Sequence, residues 1–434
     1  MAHGGEENMN VYELAQARIK LIFEEFDNII VAFSGGKDSG IMLNLMIDYI
    51  RKHNLDRKLT VMHLDYEAQY QMTTDYVTNT LNQNRDILEV HWICLPLRAH
   101  CATSMFQSYW TTWEAAKKDI WVRPLPTLAR TEHTHPYHFW KPTMTDYEFQ
   151  EKFGDWHHKQ MGAKRTAILI GIRTQESLNR WRAIYSDRNY RNYNGLDWTK
   201  EMAWNVYNCY PIFDWLTDDI WAANSKFNWE YNRLYDLFYQ AGVPLEKMRV
   251  ASPFNDWATE SLKLYRVIDP NNWAKMVGRV NGVNFTGIYG GTTAMGWQSV
   301  KLPTGHTWKS YADFLLSTMP EETRQGYLLK LETSIEFWKK TGGVLSNETI
   351  EALKSAGVKV ETHRKENYNT PKVAVKMAYL DDFDCDEFSL LPTYKRFCIC
   401  IMKNDHLCKG MGFSLNKSET ERRKKVMDKY QNIL

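Results

Sequence analysis

The first half of the chain alternates between two hydrophobic patterns. Four short runs are mainly apolar, which is typical of buried strands: residues 29–33, 59–64, 88–93 and 166–172. Between these runs, apolar positions recur every three or four residues, as they do over residues 11–26, and this period is typical of helices. Strands that alternate with helices predict right-handed βαβ units, and hence a doubly wound parallel sheet.

Two regions depart from this alternation and set the predicted domain organisation. Residues 94–165 are rich in Trp, His and Pro, and we interpret them as an insertion able to cap a site. From about residue 215 the pattern becomes mainly helical, with Thr217 as a predicted N-cap. We therefore predict a nucleotide-binding α/β domain over residues 1–245 and a mixed, mostly helical C-terminal domain over residues 246–434.

Composition narrows the class of protein without naming its function. The chain has 434 residues, of which 44% are hydrophobic and 24% charged, as is ordinary for a globular protein. The net charge is +2, so the overall charge does not favour nucleic-acid binding. The N-terminus is polar, and no apolar run is long enough to span a membrane, so we expect no membrane partner. The seven cysteines show no regular spacing typical of a disulfide framework, which favours a cytoplasmic location. Residues 422–425 (RRKK) could contact nucleic acid or a partner, or form a solvated basic end.

The strongest chemical signal is the hexapeptide SGGKDS, which follows the first predicted strand and precedes a helix predicted to start near Ser39. Gly35 and Gly36 let the backbone turn tightly and bring several N–H groups to one point. Ser34 and Ser39 add hydroxyl donors, and the helix aims its positive end at the same place. This combination predicts a cradle for phosphate groups.

The two charged residues of the hexapeptide refine that prediction. Lys37 adds positive charge, which suits a polyphosphate. Asp38 would repel a bare phosphate, so we expect it to help hold Mg²⁺, which would bridge it to the nucleotide. The alternative is a glycine turn that binds nothing.

In this context SGGKDS resembles the PP-loop of the ATP pyrophosphatases, which include phosphoadenosine phosphosulfate (PAPS) reductases, the small subunit of ATP sulfurylase and enzymes that adenylate a carbonyl. The resemblance implies an adenine nucleotide α-hydrolase-like fold and ATP as the nucleotide. The segment GIRTQESLNRWR (171–182) is similar to the Gly-x-Arg-x-x-Glu-Ser…Arg segment of PAPS reductases. The matching residues are Gly171, Arg173, Glu176, Ser177, Arg180 and Arg182. The resemblance implies that this segment approaches the nucleotide and its anionic substrate; the alternative is a solvated helix face.

Two further segments belong to the same resemblance. Residues 210–242 are similar to an aromatic helical segment of the family, and we expect their Trp and Tyr residues to serve packing rather than chemistry. Asp65, after the second strand, lies where PP-loop proteins approach the adenine or ribose. It either accepts a ribose hydroxyl or caps the next helix, and the sequence leaves both open.

The chain also departs from the reductases. Their nucleophilic cysteine lies in a Glu-Cys-Gly motif near the C-terminus, whereas this chain has no cysteine between Cys209 and Cys385. Residues 287–320 and 396–414 resemble instead the PAPS reductase-like proteins of the immunoglobulin-binding-regulator A (IbrA) type. These are often encoded beside a ParB-like protein, so the resemblance implies a ParB-like partner.

Soft metal ligands cluster late in the chain. Five lie within 24 residues: Cys385, Cys398, Cys400, His406 and Cys408. The four cysteines are candidate ligands for a structural Zn²⁺, and less so for an iron–sulfur centre. The alternative is a buried strand at residues 399–401 (ICI) with inert thiols. Five histidines could bind a metal or simply occupy loops: His133, His135, His138, His157 and His158.

Three functional hypotheses follow. The first is an enzyme that binds ATP and Mg²⁺, cleaves between the α and β phosphates and adenylates an unknown acceptor. There Lys37 offsets charge on the leaving pyrophosphate, Asp38 helps to bind the metal, and Arg173 and Arg180 orient the acceptor or α-phosphate. The second is a sulfonucleotide reductase or transferase that uses a thiol. The third is a nucleotide-dependent regulator that acts with the ParB-like partner.

Overall fold

The structure is a computed structural model and describes residues 9–413, apart from 105–106, 177–179, 181–183, 185–190, 246–247, 256–257, 290–301 and 364–371. The chain divides into two compact units, one from residues 1–100 and 109–280 and the other from residues 101–108 and 281–434. Among the described residues, no helix combines the length and the apolarity that a membrane crossing requires.

A seven-stranded sheet organises the first unit. Its strands are β1 (Asn28–Ala32), β2 (Leu59–Leu64), β3 (Leu88–Ile93), β6 (Ala129–Arg130), β7 (Thr166–Leu169), β8 (Thr199–Ala203) and β9 (Val206–Cys209), and the hairpin β4 (Arg98–His100) and β5 (Tyr109–Thr111) stands apart. The order is β6-β3-β2-β1-β7-β9-β8, and every neighbouring pair is parallel except β8 and β9. Strand β1 has β2 on one side and β7 on the other, so the order reverses there.

Helices cover both faces of this sheet. In the first unit they are α1 (Val11–Glu25), α2 (Lys37–His53), α3 (Gln71–Gln83), α4 (Asp146–Met161), α5 (Thr217–Phe227), α6 (Leu234–Gln240), α7 (Thr259–Leu262), α8 (Tyr265–Ile268) and α9 (Pro270–Arg279). Ile29 and Val31 of β1 pack in one core with α1 and α2, whereas Ile30 packs in the other with Phe149 and Phe153 of α4. The predicted doubly wound parallel sheet is confirmed.

Local boundaries follow from capping and differ slightly from the prediction. Helix α1 begins after Asn10, whose side chain accepts a hydrogen bond from the Glu13 amide. Helix α2 begins at Lys37, two residues before the predicted start, because Gly36 already has the extended conformation of an N-cap. Thr217 is the first residue of α5 and not its N-cap, which is Leu216.

The second unit is mostly helical. Its elements are α10 (Val283–Tyr289), α11 (Trp308–Ser317), α12 (Glu321–Lys340), β10 (Gly343–Leu345), α13 (Asn347–Ser355), β11 (Val360–His363), β12 (Val373–Met377) and α14 (Tyr394–Met402). The three strands form an antiparallel sheet in the order β10-β12-β11. The strand interpretation of residues 399–401 was wrong: they lie in α14, which Thr393 caps by accepting a hydrogen bond from the Arg396 amide.

Several predictions fall on residues outside the described part of the chain. The basic tail at 422–425 lies there entirely, and the glycine-rich segment at 287–320 lies there in part. In the segment that resembles the reductases, Ser177 and Arg182 also lie outside it.

Candidate nucleotide-binding site

The loop between β1 and α2 is shaped by glycine. Gly35 has a φ of +76°, and a Cβ there would lie 2.8 Å from Val77 Cγ2 and 2.9 Å from Thr73 Cγ2. Both the left-handed backbone and the close packing therefore require glycine. Gly36 then turns the chain into α2, so the first amides of this 17-residue helix face the loop.

The loop's hydroxyls hold it in shape. Ser39 Oγ donates to the Gly36 carbonyl at 3.1 Å and accepts from the Ser34 amide at 3.2 Å. Ser34 Oγ lies 3.0 Å from Ser39 Oγ and accepts from the Gly36 amide at 3.4 Å. These hydrogen bonds fix the turn, and the hydroxyls and the Gly36 amide could exchange them for phosphate oxygens.

Two residues of the segment 210–242 support the loop directly, and one of them is a Tyr that the sequence analysis assigned to packing. The Lys37 amide donates to the Tyr235 hydroxyl at 3.1 Å, and Asn232 Nδ2 donates to the Gly35 carbonyl at 3.1 Å. Burial raises the pKa of Tyr235, so its hydroxyl stays protonated. The family resemblance of residues 210–242 pointed to this segment but not to these contacts.

The loop after β7 reaches the same point. A Cβ on Gly171 would lie 2.8 Å from the carbonyl carbon of Asp38 and 2.9 Å from the Ser39 nitrogen, so this position needs glycine for close approach. Because β1 and β7 are the strands at the reversal of the order, both loops leave the carboxyl edge of the sheet where α/β proteins bind ligands.

Asp38 lies between two cations. Its Oδ2 accepts from Lys37 Nζ at 2.7 Å, and its Oδ1 accepts from Arg173 Nε at 2.6 Å. Burial tends to raise the pKa of Asp38, but the two cations offset this and hold it below its usual value. Burial lowers the pKa of Lys37, which the Asp38 carboxylate opposes.

Glu176 gathers the remaining charges. Its carboxylate pairs with Arg180 and lies 3.5 Å from Arg249 Nη1 and 3.9 Å from both Lys37 Nζ and Arg173 Nη2. Burial, and then the charge of Arg249, lowers the pKa of Arg180 to about 10. Arg249 was missed by the sequence analysis, because no motif surrounds it.

Together these side chains form an electropositive cluster at the start of α2. Four cations surround two carboxylates, which leaves two positive charges in excess beside the positive end of a helix. Such a cluster favours an anion with several charged oxygens, since guanidinium groups donate two hydrogen bonds to one phosphate or sulfate.

The arrangement does not fit Mg²⁺ on Asp38. Both of its oxygens already accept hydrogen bonds from cations, and Glu176, the other carboxylate of the cluster, is surrounded by positive charge. To bind Mg²⁺, Asp38 would have to give up these ion pairs, and the divalent cation would lie among four positively charged side chains. The predicted metal role of Asp38 is therefore not supported, and no chemical step is assigned to Mg²⁺.

Asp65 is buried and fully hydrogen-bonded at the end of β2. It is 1% exposed, pairs with Arg123, and accepts hydrogen bonds from Trp92 Nε1 at 2.6 Å and from the Glu67 amide at 2.8 Å. Its carboxylate has no free oxygen turned toward solvent for a ribose. The capping alternative was also wrong, because the N-cap of α3 is Tyr70.

The cysteines of the second unit do not converge on one point. Cys398 and Cys400 are two residues apart on α14, about 200° around a helix, and Cys398 Sγ donates to the Trp308 carbonyl at 3.3 Å. Cys398, Cys400 and Cys408 are buried in the same core, whereas Cys385 packs against another. Throughout the described residues, the one trio of His, Cys, Asp or Glu with metal-binding spacing contains no cysteine. The four-cysteine zinc site is therefore not supported.

Sequence comparisons agree with this geometry. Residues 28–241 match the phosphoadenosine phosphosulfate reductase domain, and residues 242–422 match a domain of unknown function (DUF3440). The first part of the chain is therefore similar to a PAPS reductase domain. The whole chain is 32% identical over 422 residues to the uncharacterized protein YbdN of Escherichia coli (strain K12), covering 96% of this chain and 93% of YbdN. It belongs to the same family as YbdN.

Solved structures resemble the chain more distantly. A PAPS reductase from Candida auris, in a phosphate complex, is 15% identical with a TM-score of 0.30, covering 51% of this chain and 84% of that one. An FMN adenylyltransferase from Candida glabrata is 15% identical with a TM-score of 0.31, covering 52% and 59%. The U34-tRNA thiolase NcsA from Methanococcus maripaludis is 11% identical with a TM-score of 0.31, covering 63% and 79%. Likeness at this level carries no argument about chemistry.

Proposed function

We propose that this protein binds ATP at the PP-loop, cleaves it between the α and β phosphates and passes AMP to an acceptor oxygen. The observation that carries the proposal is the excess of cations over carboxylates at the start of α2, beside the glycine turn. Cleavage between the α and β phosphates needs positioning and charge neutralisation more than a protein nucleophile. The cations of the cluster would supply both.

The side chains divide the work by position. The amides of Gly35 and Gly36 and the two serine hydroxyls of the loop hold the leaving pyrophosphate. Lys37 offsets its growing charge, and Arg173 and Arg180 orient the α-phosphate or the acceptor. Asp38 keeps Lys37 and Arg173 in place through its two short ion pairs. Glu176 pairs with Arg180 and lies near the other three cations, and a phosphate would compete with it for them.

The test is the fate of α-labelled ATP incubated with the pure chain, with and without cell extract as a source of acceptor. We expect pyrophosphate release and a labelled adenylate with the wild type, and neither with Lys37→Ala or Asp38→Ala. Lys20→Ala, which removes a lysine whose side chain is 64% exposed, should match the wild type. Wild-type turnover in Lys37→Ala, with folding verified by circular dichroism, would remove the assignment.

A second candidate is a sulfonucleotide reductase or transferase, which the match of residues 28–241 to the PAPS reductase domain favours. It requires a reactive thiol. Both cysteines of the first unit, Cys94 and Cys209, are buried, and burial raises their pKa values, which suppresses the thiolate. We would replace all four late cysteines (Cys385, Cys398, Cys400 and Cys408) by Ser. Retained PAPS turnover in a folded variant would exclude a thiol from that cluster.

The finer assignment to the immunoglobulin-binding-regulator A type rests on the sequence resemblance. It brings with it a ParB-like partner and the third candidate, a nucleotide-dependent regulator. A cytoplasmic location is proposed separately, from the composition and the cysteine usage. Nucleotide binding without turnover in the presence of the ParB-like protein would favour this candidate over the enzyme.

A further inference from the structure

Three metal-ligand side chains meet in the first unit, away from the PP-loop. Glu89 and His91 lie two residues apart on β3, so they point to the same face, and His157 lies on α4. One ligand atom from each lies within 4.8 Å of the other two. Glu89 is near the amino end of β3, whereas the PP-loop follows the carboxyl end of β1. The two sites therefore lie toward opposite edges of a parallel sheet.

His91 has a buried nitrogen that faces the Glu89 carboxylate. Its Nδ1 lies 2.9 Å from the Tyr137 hydroxyl, and this contact orients the ring. Its Nε2 lies 3.5 Å from Glu89 Oε1, which is within ion-pair distance but longer than a good hydrogen bond. The residue is only 4% exposed. A cation between this nitrogen and the carboxylate would replace one long contact by two short ones.

His157 is held in a comparable way. Its Nδ1 lies 3.1 Å from Asn28 Nδ2, and its Nε2 lies 3.2 Å from Thr60 Oγ1. Thr60 is the register partner of Glu89, so Nε2 is the nitrogen on the Glu89 side. Both imidazoles thus have a polar neighbour on Nδ1. A metal-ligating histidine donates its second N–H to an acceptor, so the Asn28 amide must turn its oxygen toward His157 Nδ1 before Nε2 can bind a metal.

The geometry points to an open site for a divalent transition metal, with Zn²⁺ preferred, formed by Glu89, His91 and His157. Two histidines and one glutamate are a known ligand set for zinc sites that keep a fourth position open. Ligands at about 2.0–2.2 Å from a tetrahedral metal lie about 3.4 Å apart, close to the observed 3.5 Å between His91 and Glu89. The Glu89 side chain is 48% exposed and can rotate to close the remaining distances.

The space beside the trio suits a fourth ligand. A cavity of about 430 Å³ is lined by all three side chains and also by Arg130 and His135. Water could complete the coordination there, and Arg130 would favour a small anion beside the metal. A metal on His157 Nε2 replaces the hydrogen bond to Thr60 and also requires the Asn28 amide to turn over.

The experiment uses the full chain, stripped with a chelator and titrated with Co²⁺ and then Zn²⁺. We expect one Co²⁺ per chain, with the visible absorption of a tetrahedral centre, displaced by Zn²⁺. Zn²⁺ should also raise the melting temperature, because it binds the folded state. Glu89→Gln and His91→Gln should each bind Co²⁺ at least about 10-fold more weakly.

The matched control is His133→Ala, which removes an exposed histidine from the same region of the chain. It should bind as the wild type does. No spectral change in the wild type, or equal affinity in Glu89→Gln and the wild type, would overturn the site and leave only a hydrogen-bonded pair of buried histidines. Glu89 is half-exposed, so Glu89→Gln decides the question even if His91→Gln does not fold. Pyrophosphate binding at the PP-loop should be unchanged in Glu89→Gln.

Discussion

Replacing Gly171 by Ala tests whether the loop after β7 must touch the start of α2. The added Cβ would lie 2.8 Å from the carbonyl carbon of Asp38, whereas carbon atoms in ordinary contact are about 3.5–4.0 Å apart. The obstacle is backbone, so no side chain can rotate away, and roughly 0.7 Å or more must open between the two loops. No positive φ is involved at this position, so the effect is purely one of packing.

Overpacking of this kind costs about 1–3 kcal/mol. The melting temperature of the first unit should therefore fall by about 2–6 °C, at about 2 °C per kcal/mol for a unit of this size. If the strain is instead relieved by moving Asp38 and its ion pairs, the same energy appears as about 5–150-fold weaker pyrophosphate binding. Differential scanning calorimetry measures the first quantity and isothermal titration calorimetry the second.

The matched control is Gly278→Ala near the end of α9, where an added Cβ would meet no atom within 4 Å. This change should leave pyrophosphate binding alone and add up to about 1 kcal/mol of helix stability. If Gly171→Ala melts and binds as Gly278→Ala does, the close approach of the two loops is not needed and the reasoning fails.

Three further predictions concern charge, protonation and thiol exposure. Arg249→Gln should weaken pyrophosphate binding by about 10–100-fold, which corresponds to the loss of one charged hydrogen bond. Arg233→Gln removes an exposed arginine and should not weaken binding. Equal affinities of the two variants in titration calorimetry would contradict this prediction. Burial raises the pKa of Asp146 to about 6, above about 3.9 in the unfolded chain, so stability should fall by about 3 kcal/mol as pH rises from about 4 to 6. Asp146→Asn should remove that slope in denaturant titrations, and Asp155→Asn, which changes a partly exposed carboxylate, should keep it. A slope that survives in Asp146→Asn refutes the assignment. Cys385 is the half-buried thiol among seven, so iodoacetamide should label it first in the folded chain, and mass spectrometry showing a buried cysteine modified as fast would contradict the packing.

The sequence predicted the sheet and the loop because both depend on neighbouring residues. A run such as residues 59–64 has the length and apolarity of a buried strand wherever it lies, and the structure has β2 at those residues. Gly35 and Gly36 indicated a tight turn because few other residues tolerate that backbone. Gly171, Arg173, Glu176 and Arg180 were found only through a family resemblance.

Pairings between distant residues were beyond the sequence. Asp38 is chemically suited to Mg²⁺, and only the position of Arg173, 135 residues away, shows that both its oxygens are taken. Arg249 carries no local pattern, and it matters because the folded chain places it 3.5 Å from Glu176.

The local sequence pattern also gave a wrong prediction where the same residues suit either a strand or a helix. Residues 399–401 alternate apolar and sulfur side chains, which suits a strand, but packing in the second unit selects the helix α14. Glu89 and His91 share a face in any strand, so their pairing was open to prediction, whereas His157 joins them only because α4 packs on that sheet. The sequence by itself determined the periodicity of the elements and the turns, because both depend on neighbouring residues. Only the tertiary structure decided the partners of each charged side chain and each metal ligand, because these depend on which surfaces pack together.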